Sequence, residues 1–148
     1  VVNFAVLVLC AGLALANPRG AEAVSIAVTG NWNLSFGEND LIGGAGTDLQ
    51  STYKSSGNEL RLTISGSTGA WRVDVRKSDS NWHANFVLKV RKTSGKTKPT
   101  VTVQDTDTEF FSDKKNIRCN VQVILENVSV AIPADTYTTT LVFTVTDI

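Results

Sequence analysis

The chain has 148 residues, 42% of them hydrophobic, which suffices for one domain with a buried core and would leave two domains marginal. Lysine plus arginine and aspartate plus glutamate both number 14, so the formal net charge is zero. A neutral chain has no overall field that attracts nucleic acid or an anionic membrane, and this excludes both as expected partners.

The first 23 residues have the pattern of a secretory signal. The range 1–16 is apolar at nearly every position, yet it is short for a membrane span, which needs about 20 apolar residues. Ala21 and Ala23 are small residues at the spacing that a signal peptidase prefers, and a cut at the end of the apolar run is an alternative. We therefore predict a secreted or cell-surface protein without a stable membrane span, whose mature domain covers 24–148.

From Val24 onward, apolar and polar residues alternate, which is the period of a half-buried β-strand. The alternating segments, in chain order, are 24–30, 31–36, 59–65, 70–79, 81–92, 99–104, 117–125 and the residues after Pro133. Two polar regions, 37–58 and 105–116, are predicted as loops, the first with a short strand inside. Four basic residues are predicted on outward strand faces: Arg72, Arg76, Arg91 and Lys92.

Short strands separated by turn signals, with no helical period in 24–148, define the predicted fold. We expect an all-β protein: an antiparallel immunoglobulin-like β-sandwich of about seven strands, in which each strand buries one face. A closed barrel would show the same alternation and is the alternative architecture.

Residues with obvious catalytic or metal-binding chemistry are scarce. His83 is the only histidine, and nothing in the sequence places a nucleophile or a carboxylate beside it. Cys119 has the apolar parity of its strand, which predicts a buried, inert thiol. The carboxylates of 105–113 could hold calcium, but they lack the full calcium-loop pattern, and a solvated loop is favoured. We predict no enzymatic activity, no catalytic residues, no metal and no cofactor.

The tryptophans allow two interpretations. Trp32, Trp71 and Trp82 all have the apolar parity of their predicted strands, which favours core filling. Aromatic rings on a sheet face also grip sugars in many binding modules. A secreted carbohydrate-binding β-sandwich, using exposed aromatics or the 37–58 loop, is therefore the alternative function.

The C-terminal segment "IPADTYTTTLVFTVTDI" carries a family resemblance. Pro133 leads into Thr136 and Tyr137, and threonine then alternates with apolar residues. This ending resembles the last strand of fimbrial subunits assembled by the chaperone–usher route, in the branch related to spore coat protein U. The resemblance implies an incomplete sandwich completed by a strand from the next subunit, a structural role in a fimbria or surface filament with cell adhesion as its purpose, and a periplasmic chaperone as a partner.

The predicted donor strand is the segment 24–30. Its apolar residues Val24, Ile26 and Val28 alternate with small or polar ones, as required of a strand that plugs a groove on one side and faces water on the other. Gly30 is the predicted hinge between this arm and the domain's own first strand. We therefore expect self-association into a polymer through these four residues.

Overall fold

The computed structural model describes residues 4–14, 23–96 and 98–148. Within them the chain forms eleven strands and one short 3₁₀ turn at Glu38–Asp40. The strands are β1 (Phe4–Ala14), β2 (Ser25–Thr29), β3 (Trp32–Phe36), β4 (Thr52–Lys54), β5 (Leu60–Ser65), β6 (Trp71–Asn81), β7 (Val87–Lys92), β8 (Val101–Thr102), β9 (Thr108–Asp113), β10 (Ile117–Glu126) and β11 (Thr136–Asp147). In this part of the chain there is no helix of sufficient length and hydropathy to cross a membrane.

The strands form two sheets that pack face to face. Sheet A has the order β3–β1–β11–β6–β9, and sheet B has the order β2–β5–β10–β7–β8, with β4 also paired to β10. Among the described strands, β1 and β11 are the one parallel pair, and all the others are antiparallel. The predicted all-β sandwich is confirmed. Since the two sheets remain separate, the closed-barrel alternative is wrong.

The core lies between the sheets and is built from alternate residues of the long strands. Its most deeply buried members on β6, β10 and β11 are Trp71, Val73, Val75, Cys119, Val121, Val123, Leu125, Leu141, Phe143 and Val145. Removing a large apolar side chain from water stabilises a fold by about 1.5–3 kcal/mol. The period of two in the sequence therefore identifies these interior residues, although Asp74, Ile124 and Thr144, on the opposite parity, are also buried.

The chain has more strands than the sequence predicts, because β1 lies in the predicted signal segment, β4 is the short strand expected within 37–58, and β9 does not alternate. Strand β9 lies where a connection is predicted, and its adjacent residues Phe110 and Phe111 are both buried. The pairing of β9 with β6 shifts register between Val73 and Asp74. A bulge of this kind interrupts the alternation, so two successive side chains can both turn inward. No count of alternating positions reveals such a strand.

The prediction that Lys92 faces outward is wrong. Lys92 is only 6% exposed and lies on the inward parity of β7, with its Nζ 5.3 Å from the centre of the Phe111 ring. Its Nζ also donates to the carbonyl oxygen of Lys96 at 3.4 Å. Neighbouring residues of a regular strand point to opposite faces, so Arg91 and Lys92 cannot both face solvent.

The predicted strand 81–92 is also shorter in the structure. Strand β7 begins at Val87, while β6 continues as far as Asn81. Between them the chain turns, and the amide of Phe86 donates to the carbonyl of His83 at 3.1 Å. Trp82 therefore lies in a turn at one end of the sandwich, where strand parity does not determine its burial.

Candidate functional site

The candidate functional site is an interior strand position of sheet A, second from its edge. Between β3 and β11 lies β1, which pairs in parallel with β11 over residues 5–14 and antiparallel with β3 over residues 4–8. We call this position between β3 and β11 the acceptor slot. The strand that fills it belongs to the segment 1–23, which the sequence predicts to be a secretory signal.

The walls of the acceptor slot are mostly apolar toward the core and mostly polar toward solvent. Their buried apolar residues are Trp32 and Phe36 on β3 and Tyr137, Leu141, Phe143 and Val145 on β11, where Thr139 and Thr144 are also buried. Their outer residues, exposed or half-buried, are Asn33, Ser35, Thr138, Thr140, Val142 and Thr146. A strand suited to this slot alternates apolar residues on its inner face with polar residues on its outer face.

The sequence of β1 does not have that alternation. The register pairs Val6 with Tyr137, Leu7 with Thr138 and Leu9 with Thr140. A strand with one solvated face normally alternates apolar with polar residues. The segment 4–14 is instead apolar at nearly every position, which is the composition that predicts a secretory signal.

The predicted donor residues lie elsewhere, at the edge of sheet B. Residues 25–29 form β2, which pairs with β5 of the same chain. Val24 and Ile26 are buried in the core, and Val28 is partly buried against it. In the structure these residues thus complete their own domain, and their donation to another copy stays a prediction.

Gly30 lies where the chain passes from sheet B to sheet A, between β2 and β3. Its φ of 108° belongs to a region that side-chain-bearing residues rarely adopt, and a Cβ atom there would lie 2.1 Å from the carbonyl oxygen of Glu59. Glycine is therefore required both by the backbone conformation and by the close approach. Gly30 thus separates β2 from β3, and its role as a hinge beside a donor arm stays a prediction.

The proline turn before β11 is fastened by Tyr137. The hydroxyl of Tyr137 donates to the carbonyl oxygen of Pro133 at 2.8 Å, and its ring packs edge-on against Phe86 and His83 at 5.1 and 5.9 Å. Desolvation, with a smaller effect from the charge of Asp135, raises the pKa of Tyr137. The hydroxyl therefore stays protonated at neutral pH and holds the start of β11, one wall of the acceptor slot.

The titratable residues singled out in the sequence do not form a reactive centre. His83 is half-buried, and its Nδ1 accepts a hydrogen bond from the amide of Asn85 at 3.3 Å. Cys119 is buried, and desolvation raises its pKa to about 11, against a weak opposing effect of Lys92. A thiol with this pKa remains protonated at neutral pH. The predicted burial of Cys119 is confirmed, and its lack of reactivity stays a prediction.

The carboxylates of the 105–113 region interact with basic residues of β6. Asp105 lies 2.6 Å from Nζ of Lys77, and Asp107 lies 3.5 Å from Nε of Arg76. Within the described ranges no group of three or more histidine, cysteine, aspartate or glutamate residues could hold a metal ion.

The tryptophans divide into two kinds. Trp32 and Trp71 are 6% and 0% exposed, so core filling is confirmed for both. Trp82 is only half-buried, and the indole nitrogen has no hydrogen-bond partner within the described residues. The sequence did not distinguish Trp82 from the other two, because its predicted strand gave it the same parity.

No family model matches this chain, and no curated protein sequence matches it. A function must therefore be inferred from the geometry of the molecule.

Proposed function

We propose that this chain is a structural subunit of an extracellular fimbria or surface filament, assembled by strand exchange. The observation that carries the proposal is the acceptor slot, an interior strand position of sheet A that residues 4–14 fill in the structure. A strand placed there pairs with neighbours on both sides, so an open slot offers two unpaired edges to a strand from another copy.

In this proposal, the acceptor slot becomes open when the signal segment is cleaved during export. Removal of residues 1–23 takes β1 out of sheet A, which leaves the apolar walls at Leu141, Phe143 and Val145 without their neighbour. Covering a large apolar side chain is worth about 1.5–3 kcal/mol, so the open slot has a strong tendency to be filled. A periplasmic chaperone would protect these walls until the next subunit arrives.

The proposed donor is the segment 24–30 of a neighbouring copy. Its inner residues Val24, Ile26 and Val28 match the apolar side of the slot, and the residues between them are small or polar, whereas the segment 4–14 lacks this alternation in its sequence. As β2, the segment is an edge strand with β5 as its hydrogen-bonded neighbour, whereas the slot is flanked by two strands. Transfer therefore replaces one ladder of hydrogen bonds with two, and the apolar burial lost beside β5 is regained in the slot.

A pair of substitutions on the proposed donor tests this function. Ile26 is 9% exposed, whereas its neighbour Ala27 faces solvent. We expect Ile26→Asp to abolish filaments, because its carboxylate would have to enter the apolar side of the slot. Ala27→Asp places the same charge on the outer face of the same strand and should leave filaments intact. The measurement is a denaturing gel of exported protein with and without boiling, because strand-exchanged polymers dissociate slowly.

Since Ile26 also contributes to its own domain, the folded state of each variant is checked by circular dichroism. A free peptide with the sequence of 24–30, added to unaltered subunits, provides a second test that requires no substitution, and we expect it to stop polymer growth. The proposal would be contradicted if Ile26→Asp and Ala27→Asp formed polymer ladders of equal intensity on the unboiled gel. A strictly monomeric exported protein would favour the carbohydrate-binding alternative.

A further inference from the structure

A groove lies at the end of the sandwich where β6 finishes and the turn before β7 begins. It has a volume of about 490 Å³, and the residues that matter for its chemistry are Lys77, Asp79, Trp82, Phe86, Gln104 and Asp105. We call it the Trp82 groove. A second concavity of about 510 Å³ adjoins it, sharing Ala84 and Val87 and presenting the polar residues Asn85, Asn127 and Ser129.

Trp82 gives the groove an apolar wall and an unused donor. Its indole ring packs edge-on against Phe86, with ring centres 5.3 Å apart. The indole N–H is buried and has no acceptor in the described part of the chain. Buried polar groups are nearly always hydrogen-bonded, so an indole N–H left without an acceptor beside a groove suggests that an acceptor arrives from outside.

Three charged side chains, Lys77, Asp79 and Asp105, also line the groove. The Lys77 ammonium lies between Asp79 and Asp105, with its Nζ 2.6 Å from Oδ1 of Asp105. Although desolvation works against the charged form, the hydrogen bonds and charges of these two carboxylates raise the pKa of Lys77. The Asp105 side chain is 78% exposed, so its carboxylate remains accessible to a ligand.

We propose that the Trp82 groove binds a neutral oligosaccharide. Carboxylates accept hydrogen bonds from hydroxyl groups, and an ammonium group donates to them, while the indole and Phe86 can cover the C–H faces of a sugar ring. Binding sites for small molecules generally combine an apolar floor with a few converging polar groups. The neighbouring concavity gives room for a second ring, with amide and hydroxyl groups that also suit a hydroxylated ligand.

The groove and the acceptor slot are neighbours with separate linings. In sheet A, β11 stands between the slot and β6, the strand that carries Lys77 and Asp79. Tyr137 of the slot wall packs against Phe86 of the groove, with ring centres 5.1 Å apart. The residues that line the groove lie outside β3 and β11, so saccharide binding does not require strand exchange. A filament with this groove on each subunit would adhere to a glycan surface at many points.

The test is calorimetric titration of the full chain with four probes: cellohexaose, laminarihexaose, chitohexaose and mannohexaose. We expect saturable binding of at least one. Trp82→Phe retains an aromatic ring and removes the N–H, and Asp105→Asn removes the exposed charge. Each should weaken binding at least about tenfold, as the loss of a hydrogen bond involving a buried or charged group does. Asp113→Asn removes an exposed carboxylate from β9, away from the groove, and serves as the matched control.

Failure of all four probes to give saturable heat would overturn the proposal, as would unchanged affinity in both groove variants. Circular dichroism verifies that the variants are folded. If Trp82→Phe does not fold, Asp105→Asn at its exposed position decides the result alone. A protein that binds a probe but never polymerises would support the groove and contradict the strand-exchange function.

Discussion

Replacing Trp71 with alanine should lower the free energy of unfolding by about 3–5 kcal/mol, as truncation of a large aromatic side chain in a core does. Trp71 is fully buried, and its ring meets that of Phe111 at 5.7 Å in an edge-on arrangement. Its indole N–H also donates to the carbonyl oxygen of Lys115 at 3.2 Å. Alanine would lose the packing and the hydrogen bond together and leave a cavity between the sheets. Chemical denaturation followed by circular dichroism measures the change.

The matched control is Trp82→Ala, which removes the same side chain from a half-buried turn. We expect it to cost less than half as much as Trp71→Ala, because fewer of its atoms are enclosed by the protein. Equal losses of unfolding free energy at the two positions would show that Trp71 is not more deeply enclosed by the core than Trp82.

Gly30→Ala should be among the most destabilising single-methyl additions that this chain allows. The backbone at Gly30 has a φ of 108°, and the added Cβ atom would lie 2.1 Å from the carbonyl oxygen of Glu59. Backbone strain alone costs on the order of 1–3 kcal/mol, and the clash with a main-chain oxygen adds to it. We expect the β2–β3 junction to shift or unfold, with a fall in the midpoint of thermal unfolding.

The variant Gly44→Ala separates the cost of backbone strain from the cost of a steric clash. Gly44 also has a positive φ, 85°, but an added Cβ atom would meet nothing within 4 Å. Its substitution should therefore show the backbone cost without the clash. If Gly30→Ala were no more destabilising than Gly44→Ala, the close approach to Glu59 would not be a real constraint on the turn.

The alternating strands could be predicted from the sequence because one face of each meets the core and the other meets water. Strand β10 shows this directly, since four of its five predicted inward residues, Cys119, Val121, Val123 and Leu125, are buried, and the fifth, Ile117, is partly buried at the strand's start. Strand β9 was not predicted, because its bulge turns two adjacent phenylalanines inward and so interrupts the alternation. Lys92 was misplaced because a lysine was assigned by its charge rather than by the parity of its strand.

The acceptor slot could not be predicted, for a different reason. It depends on which strands become neighbours, and the spacing of residues along the chain does not reveal whether β1 lies between β3 and β11. The apolar run at 4–14 was also ambiguous, because a buried strand and a secretory signal are both continuously apolar. The burial of Trp82 could not be predicted either. Trp82 lies in a turn, where burial depends on the packing at the end of the sandwich and not on a repeating period.

Strand exchange is tested most directly by photo-crosslinking from position 27 in exported protein. Unaltered Ala27 faces solvent, and within one chain its partner across β2 and β5 is Thr63. A photoreactive residue at this position, in a mixture of isotopically light and heavy subunits, reports which strand lies beside the segment 24–30 and from which copy. Strand exchange predicts crosslinked peptides of mixed mass that join this segment to β3 or β11 of another subunit. Crosslinks of uniform mass to β5 near Thr63, and no others, would contradict it.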